Sequence, residues 1–327
     1  MIRRPGRFGS AHNYSELEQL ENLFKRATAN SLPVRKLGPA EIREREPHVR
    51  AIAGIYSPTT GIVNYRQVTE AYARIVAQQG GELCLNTRVE QIREHADGVT
   101  VETSAGTFQG RFLINCAGLH SDRVAQLAGV QTRMKIVPFR GEYYETVPEK
   151  RHLVKTLIYP VPNPNFPFLG VHFTRMIDGS VHAGPNAVLA LKREGYRKID
   201  FSLRDFAEVM AYLAFWKLAG KFMDEGLKEM LRSASKAVFV KSMQRLIPEI
   251  QARDVIPTHA GVRAQALMDD GTLMDDFVII SGKRSIHVCN APSPAATASI
   301  AIGEAIVARL PERAFAHAAL APSKPIC

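Results

Sequence analysis

Apolar residues recur along parts of this chain at the three- and four-residue spacing typical of helices. Leucines and a phenylalanine at this spacing predict a helix over 16–29, with Ser15 as its N-cap. A second helix is predicted over 65–79, with the apolar residues from Val68 to Val76 on a buried face. Residues 201–242 are also predicted to be helical.

Other segments follow the two-residue alternation or the short apolar runs of strands. A strand is predicted over 82–85, a β-meander over 88–108 and a buried strand over 112–114, followed by a further helix. Residues 133–185 are predicted to form strands broken by prolines, and a mixed strand and helix pattern is predicted again from Gly261. The expected fold class is therefore α/β (α+β): one α/β layer, interrupted by a domain with an antiparallel sheet.

Composition narrows the class of protein. The 327 residues are 46% hydrophobic and 23% charged, which excludes a disordered chain, a collagen-like repeat and a membrane bundle. No run approaches the roughly 18 consecutive apolar residues of a membrane span, and no secretory signal is evident, so a cytoplasmic location is expected. The four cysteines lack CxxC spacing, and no metal site is predicted. A net charge of +10 favours anionic partners.

Two segments of small residues follow predicted strands. One contains Ala117 and Gly118 after Asn115, and the other runs from Asn290 to Gly303. Small residues let a backbone approach a ligand closely, and free N–H groups at a helix start favour an anion or an electron-rich ring edge. Tight packing of helix on strand, with no ligand, requires the same residues, so both interpretations stay open.

Several polar residues in the central and C-terminal strands are candidates for substrate contact. Arg263 follows a glycine and could clamp a carboxylate, although a lone arginine is more often salt-bridged or solvated. His172 lies in an apolar strand, where a core histidine is about twice as common as a base. Tyr159, Arg140 and Asn186 lie in the same proline-broken region and could hydrogen-bond a polar substrate.

The helical segment after Phe201 mixes bulky apolar residues with lysines. It could lie in a membrane interface with Trp216 and Phe222 inserted, although a cap helix packed on its own domain is favoured by about two to one. Acids are interleaved with the basic residues, so no nucleic-acid partner is expected. The chain contains no Walker A, HExxH or GxSxG motif.

Taken together, several segments resemble one family over nearly the whole chain up to about Leu310. They are GIYSPTTGIVNYRQV, INCAGLHSDRVAQLAG, VPFRGEYYE, LIYPVPNPNFPFLGVHFTRMIDGSVHAGPNAVLALKREGYR, AGVRAQ and IHVCNAPSPAATASIAIG. In this order they are similar to the L-2-hydroxyglutarate oxidase/dehydrogenase family, which belongs to the D-amino-acid-oxidase-like FAD flavoproteins. The blocks PFLGVHFTRMIDGSVHAGPNA and CNAPSPAAT are specific to it.

This resemblance implies a discontinuous FAD-binding domain of Rossmann-like type and a substrate domain whose antiparallel sheet covers the flavin. The expected divisions are 1–60 for the start of the substrate domain and a connector, 61–132 for the first FAD-binding part, 133–255 for the substrate domain with a helical cap, 256–312 for the second FAD-binding part and 313–327 for a flexible tail. The residues expected to line FAD are Val89, Ala117, Gly118, Gly261, Asn290, Ala291, Pro292, Ser293, Pro294, Ala295, Ala296 and Thr297.

The resemblance further implies oxidation of the C2–OH of L-2-hydroxyglutarate to 2-oxoglutarate, with oxygen or a membrane quinone as electron acceptor. Arg263 and Arg140 are the expected carboxylate-binding residues, and His172 is the expected acceptor of the hydroxyl proton. Tyr159 and Asn186 would position the substrate. A peripheral contact with the inner face of a membrane is compatible with the basic surface.

The chain departs from the family in one respect. Members begin with a strand–GxGxxG–helix unit that binds the FAD pyrophosphate, and these 327 residues contain no GxGxxG. The expectation is an incomplete FAD-binding domain, truncated at the N-terminus, that binds FAD weakly or not at all. Two alternatives stay open: a sibling FAD enzyme for another 2-hydroxy acid, glycerol 3-phosphate or an amino acid, and a non-catalytic remnant that binds anions or membrane.

Overall fold

The structure, a computed structural model, describes residues 4–162, 170–292 and 295–314. The α-helices of these residues are α1 (Leu17–Ala29), α2 (Pro39–Arg45), α3 (Tyr65–Gln78), α4 (Ser121–Leu127), α5 (Leu203–Met210), α6 (Leu213–Lys221), α7 (Met223–Ala234), α8 (Lys236–Gln244) and α9 (Ser299–Val307). The strands are β1 (Arg7–Ala11), β2 (Arg35–Leu37), β3 (Ala53–Ser57), β4 (Val89–Glu94), β5 (Val99–Thr103), β6 (Gly106–Gly110), β7 (Leu113–Asn115), β8 (Met134–Gly141), β9 (Tyr144–Thr146), β10 (Leu157–Pro160), β11 (His172–Arg175), β12 (Val181–Gly184), β13 (Val188–Leu189), β14 (Val255–Pro257), β15 (Gly261–Met268), β16 (Val278–Ser281) and β17 (Ser285–Asn290).

The largest layer is an eight-stranded sheet in the order β14-β9-β12-β11-β10-β1-β3-β2. Phe8 pairs with Ile158, Ile158 with Phe173, Phe173 with Ala183 and Ala183 with Tyr144, so one buried apolar residue from each of five strands forms a row. This row packs in one core cluster with residues of α8. Because side chains alternate across a strand, the next residue on each strand lies on the opposite face of the sheet.

Three smaller sheets accompany this layer. Strands β13, β8 and β15 form one antiparallel sheet, and β4, β5 and β6 form another. In the third, β17 lies between antiparallel β16 and parallel β7. Strand β17 is buried along its whole length, whereas Ile114 of the edge strand β7 is 41% exposed. The α/β (α+β) fold class is thus confirmed as a mixture of helices with parallel and antiparallel strands.

A compact group of charges joins the β8 sheet to α4 and α5; we call it the ion-pair cluster. The guanidinium of Arg193 binds both oxygens of Asp122, at 2.9 Å for Oδ2, and that carboxylate also accepts the backbone N–H of Ile136 at 3.0 Å. Arg123 pairs with Asp205 and Glu208. Since each buried charge has an opposite partner, the cluster fixes both helices against the sheet.

The helix boundaries follow the predicted pattern closely, but three details of the prediction are wrong. Asn64 caps α3 by accepting the backbone N–H of Gln67 at 3.3 Å, yet this helix has no buried residue, whereas burial of its apolar face was expected. Residues 82–85 form no strand. Ser15 lies inside a 3-10 turn and donates to Asn13 at 2.6 Å rather than capping α1.

Candidate active site

The face of the eight-stranded sheet opposite α8, part of which α1 covers, carries a line of candidate side chains. The register of β10 and β11 places Tyr159 beside His172, and their rings stack with centroids 4.0 Å apart and an interplanar angle of 16°. His172 in turn pairs with Gly184 on β12. The residues adjacent in sequence to the buried apolar row therefore come together as a second row on the other face.

Gly184 explains why this row admits a further aromatic ring. It has a φ of +153°, and a Cβ added there would lie 2.7 Å from Tyr143 Cδ1 and 2.7 Å from the Glu142 carbonyl oxygen. Only a glycine leaves room for Tyr143 at this point. Burial, followed by the influence of Tyr159, raises the pKa of Tyr143 to about 12, so the phenol stays protonated and can donate a hydrogen bond.

Two guanidinium groups complete what we call the open-face cluster: Arg7, Tyr143, Tyr159, His172 and Arg263. Arg7 Cζ lies 4.0 Å from the centroid of the Tyr159 ring, in a cation–π contact. Arg263 is close enough to Tyr143 to hold down the pKa of that phenol. Desolvation lowers the pKa of both arginines, although each remains a cation at neutral pH.

The environment of His172 keeps its imidazole neutral. Burial is the main cause that lowers its pKa to about 4, and the nearby charge of Arg7 acts in the same direction. Nδ1 lies 3.1 Å from the Gly170 carbonyl oxygen, which can only accept, so this hydrogen bond assigns the proton to Nδ1. Nε2 is consequently the ring atom with a lone pair that can accept a proton.

Arg140 and Asn186, also expected at the substrate, lie outside the open-face cluster and share another partner, the buried Glu142. Arg140 donates to Glu142 Oε1 at 3.2 and 3.0 Å, and Asn186 Nδ2 donates to Oε2 at 2.9 Å. Asn186 Oδ1 accepts the backbone N–H of Glu142 at 2.8 Å, and Ser233 donates to Oε1 at 2.8 Å. With these bonds made, the two side chains fix the end of β8 instead of presenting free donors.

The turn after β7 is stabilised by a series of hydrogen bonds among polar side chains that runs from Asn115 to Glu94; we call it the polar chain. Asn115 Oδ1 accepts the N–H of Ala117 at 3.0 Å, and its Nδ2 lies 3.0 Å from His287 Nδ1. His287 Nε2 lies 2.7 Å from Ser285 Oγ, which donates to Glu94. Burial lowers the pKa of His287, in keeping with a neutral ring that accepts at one nitrogen and donates at the other.

The small residues of the β7 turn and of the start of β15 have room for a ligand. Ala117 and Gly118 are exposed, Gly118 has a φ of +53°, and no atom lies within 4 Å of a Cβ added at Gly118 or Gly261. At the end of β17, Asn290 is buried; its Nδ2 donates to Asp276 at 2.7 Å, while among the described residues Oδ1 has no hydrogen-bond partner. An acceptor in this state fits a ligand that brings a donor.

The other expected cofactor residues are more dispersed. Val89 begins β4, in a different sheet from the β7 turn. Ala291 and Pro292 follow β17, and Ala295, Ala296 and Thr297 form a 3-10 turn before α9, so the predicted helix begins at Ser299. Ser293 and Pro294 lie outside the described residues, as do residues 315–327 of the expected tail.

The chain matches a known protein family over most of its length. A family model described as FAD dependent oxidoreductase (DAO) matches residues 1–309. The chain belongs to the FAD dependent oxidoreductase family. FAD is the cofactor of this family, which confirms the expected cofactor, and the exposed turn at Ala117 and Gly118 and the Asn290 Oδ1, which has no hydrogen-bond partner among the described residues, fit such a ligand.

Curated relatives of this FAD dependent oxidoreductase include L-2-hydroxyglutarate dehydrogenases. The chain is 45% identical over 296 residues to the L-2-hydroxyglutarate dehydrogenase of Escherichia coli (strain K12), covering 90% of this chain and 70% of the relative. It is also 45% identical over 315 residues to the mitochondrial L-2-hydroxyglutarate dehydrogenase of Caenorhabditis elegans, covering 93% and 73%. The family resemblance predicted from the sequence is confirmed.

Solved structures share the fold of this FAD dependent oxidoreductase at low sequence identity. The FAD-bound L-alpha-glycerophosphate oxidase from Mycoplasma pneumoniae matches with a TM-score of 0.74 and 21% identity, covering 94% of this chain and 72% of that one. Glycine oxidase from Geobacillus kaustophilus matches with a TM-score of 0.65 and 17% identity, covering 94% and 70%. Within the described part of the chain, no helix is both long and apolar enough to span a membrane.

Sequence reasoning missed two members of the open-face cluster, Arg7 and Tyr143. Arg7 has no distinguishing motif and lies about 150 residues before its ring partner, Tyr159. Tyr143 stands next to Tyr144, whose side chain enters the core, and only the strand register separates their roles. A strict two-residue alternation applied to VPFRGEYYE would have placed these two tyrosines on opposite faces.

Proposed function

We propose that this FAD dependent oxidoreductase oxidises the C2–OH of L-2-hydroxyglutarate to 2-oxoglutarate. The observation that supports this most is a buried, neutral histidine on the sheet face opposite α8, with guanidinium groups at both ends of its row. A 2-hydroxy di-acid needs both elements, a proton acceptor for the hydroxyl and cations for its carboxylates. The relatives named L-2-hydroxyglutarate dehydrogenase support the same substrate.

His172 is the proposed catalytic base. Loss of a hydride from an alcohol is easier as the O–H proton leaves, and Nε2 of a neutral His172 has the lone pair to accept that proton. The Gly170 carbonyl oxygen fixes the tautomer through Nδ1, so the accepting nitrogen does not alternate. The stacked ring of Tyr159 restricts rotation of the imidazole.

Arg263 is the proposed partner of the carboxylate next to the reacting carbon. Its planar fork matches a carboxylate, and its desolvated setting strengthens such a pair. Tyr143 and Tyr159 position the substrate through their phenol groups. Arg140 and Asn186 are proposed to act indirectly, by holding Glu142 and the backbone that leads into Tyr143.

FAD supplies the two-electron acceptor for this oxidation when it is bound. The residues proposed to hold it are those of the β7 turn, Ala117 and Gly118, together with Gly261, Asn290 and the segment that follows β17. Val89 is proposed to lie near the adenine. The polar chain from Asn115 to Glu94 keeps the β7 turn in one conformation.

Oxygen or a membrane quinone is the proposed final electron acceptor.

A peripheral membrane contact is proposed at α6 and α7. Leu213, Trp216 and Met223 are 78%, 55% and 68% exposed there, among exposed lysines. Phe222, expected to insert beside Trp216, packs instead against a core cluster with Val209 and Leu218, so it is unavailable. Trp216 is the single tryptophan. Its emission should shift to the blue with anionic vesicles, and an unchanged spectrum would exclude this contact.

A substrate panel tests the proposed function. Purified protein supplied with FAD and an artificial dye acceptor should reduce the dye with L-2-hydroxyglutarate and much more slowly with the D enantiomer, glycerol 3-phosphate or glycine. Preference for glycerol 3-phosphate or an amino acid would assign the chain to a sibling enzyme. Failure with every compound, in protein shown to contain flavin, would contradict the proposal.

A further inference from the structure

Arg7 makes no ion pair with any Asp or Glu in the described part of the chain, and it lies beside the row that contains His172. Three other arginines on the sheets or against them each have an acidic partner: Arg140 binds Glu142, Arg193 binds Asp122, and Arg123 binds Asp205. Arg7 instead contacts the face of the Tyr159 ring, whose centroid lies 4.0 Å from Cζ. Arg7 is thus a cation placed on an aromatic ring without an anion.

This arrangement has a cost unless a ligand is present. Desolvation by the surrounding protein lowers the pKa of Arg7, and only the weaker influence of Tyr159 opposes that shift. A guanidinium that loses water contacts without gaining an anion is destabilised. Arg7 is nevertheless exposed, so an anion from solution can reach it.

The position of Arg7 relates it to the proposed catalytic base. Gly9 pairs with Tyr159 across β1 and β10, and Arg7 lies two residues before Gly9, hence on the same face of the sheet. Arg7, Tyr159 and His172 follow each other in a stack with two steps of 4.0 Å. Arg263 approaches the row from its other end, beside Tyr143.

We propose that Arg7 binds the second carboxylate of a dicarboxylate substrate and so makes the site selective for di-acids over mono-acids. This inference rests on the proposed function for the identity of the reacting group. A dianion between Arg263 and Arg7 places its hydroxyl-bearing carbon in the region of His172. A 2-hydroxy mono-acid can pair with Arg263 but leaves Arg7 without an anion.

The test compares Arg7→Met with Arg35→Met, a matched control. Arg35 also lies over a tyrosine, with Cζ 5.8 Å from the Tyr56 ring centroid, but on β2 and away from the cluster. The readouts are binding of 2-oxoglutarate and 2-oxobutyrate by calorimetry, and kcat/KM for L-2-hydroxyglutarate and L-2-hydroxybutyrate. Arg7→Met should weaken the five-carbon di-acids by about tenfold or more, the loss of one charged hydrogen-bonding partner, and leave the mono-acids unchanged. Arg35→Met should change neither class, and Arg7→Lys should recover part of the loss.

The outcomes separate this inference from the proposed function. If the wild-type protein binds 2-oxoglutarate in an Arg7-dependent manner but oxidises no 2-hydroxy acid, the proposed reaction fails and the assignment of Arg7 survives. If Arg7→Met weakens di-acids and mono-acids equally, or weakens neither, the assignment of Arg7 is overturned. A wild-type protein that binds no dianion would overturn it as well.

Discussion

Two groups of charged side chains in this molecule have opposite designs. In the ion-pair cluster every arginine meets a carboxylate, and Arg193 and Asp122 are both almost fully buried. In the open-face cluster, Arg7 contacts an aromatic ring, and the nearby His172 is neutral. The first arrangement satisfies its own charges and fixes helices on a sheet, whereas the second leaves positive charge for an anion to neutralise. Arginines that the sequence does not distinguish therefore serve structure in one place and are proposed to bind a ligand in the other.

Replacing the proposed base should have the largest effect. His172→Gln keeps a hydrogen-bonding side chain of similar size but removes the proton-accepting nitrogen, so kcat should fall by about 10²–10⁴-fold. His182→Gln, on the neighbouring strand, is the matched control, and its kcat should fall little. Steady-state kinetics with L-2-hydroxyglutarate measure both. An equal fall in kcat in the two variants would mean that His172 is not the catalytic base.

The ion-pair cluster should respond in stability rather than in substrate binding. Arg193→Met leaves Asp122 buried without its main partner, which should lower the free energy of unfolding by about 3–5 kcal/mol. Arg204→Met breaks only a half-exposed pair with Glu208 and should cost about 0.5 kcal/mol. Denaturant titration measures both. If Arg193→Met were as stable as Arg204→Met, the proposed division between the two clusters would not hold.

Asn186 tests whether the side chains around Glu142 serve stability or substrate binding. Asn186→Ala removes two hydrogen bonds to Glu142 and should lower the free energy of unfolding by about 1–3 kcal/mol, with KM for L-2-hydroxyglutarate changed little. Thermal melts and kinetics on one preparation give both values. A KM raised tenfold at unchanged stability would instead assign Asn186 to direct substrate contact, as first expected from the sequence.

The titration of His172 should change stability only at acidic pH. Its pKa is about 4 in the folded protein against an ordinary 6.5, so the unfolded chain binds more protons between these values. The histidine therefore lowers stability progressively as pH falls from 6.5 toward 4, and it has no such effect above 6.5. Denaturation at pH 7 and pH 5 should show a smaller pH dependence in His172→Gln than in the wild type. Identical pH dependence would mean that His172 is not held neutral.

Strand periodicity predicted much of the fold and part of the candidate site. Alternation in the block around His172 predicted a strand there, and β11 confirms it, whereas the position of Tyr159 beside His172 follows only from the pairing of β10 with β11. Arg140 could not be separated from a ligand-binding arginine, because its partner Glu142 is visible only once β8 is folded and Ser233 and Asn186 converge on it.

Tertiary context also decided the errors. The apolar face of α3 has the correct helical period, but periodicity states which side chains share a face and not what covers them. Arg7 was missed because its role comes from β1 pairing with β10, a contact between distant parts of the chain. Local pattern identifies elements, whereas charge pairing between elements determines which cations remain for a ligand.

Anaerobic mixing of flavin-loaded protein with L-2-hydroxyglutarate tests the central claim most directly. The account predicts that the flavin absorbance bleaches in the wild type, with 2-oxoglutarate formed in an amount equal to the flavin reduced, and that bleaching slows sharply in His172→Gln. A flavin that stays oxidised in the presence of L-2-hydroxyglutarate, while it still bleaches with dithionite, would contradict the account.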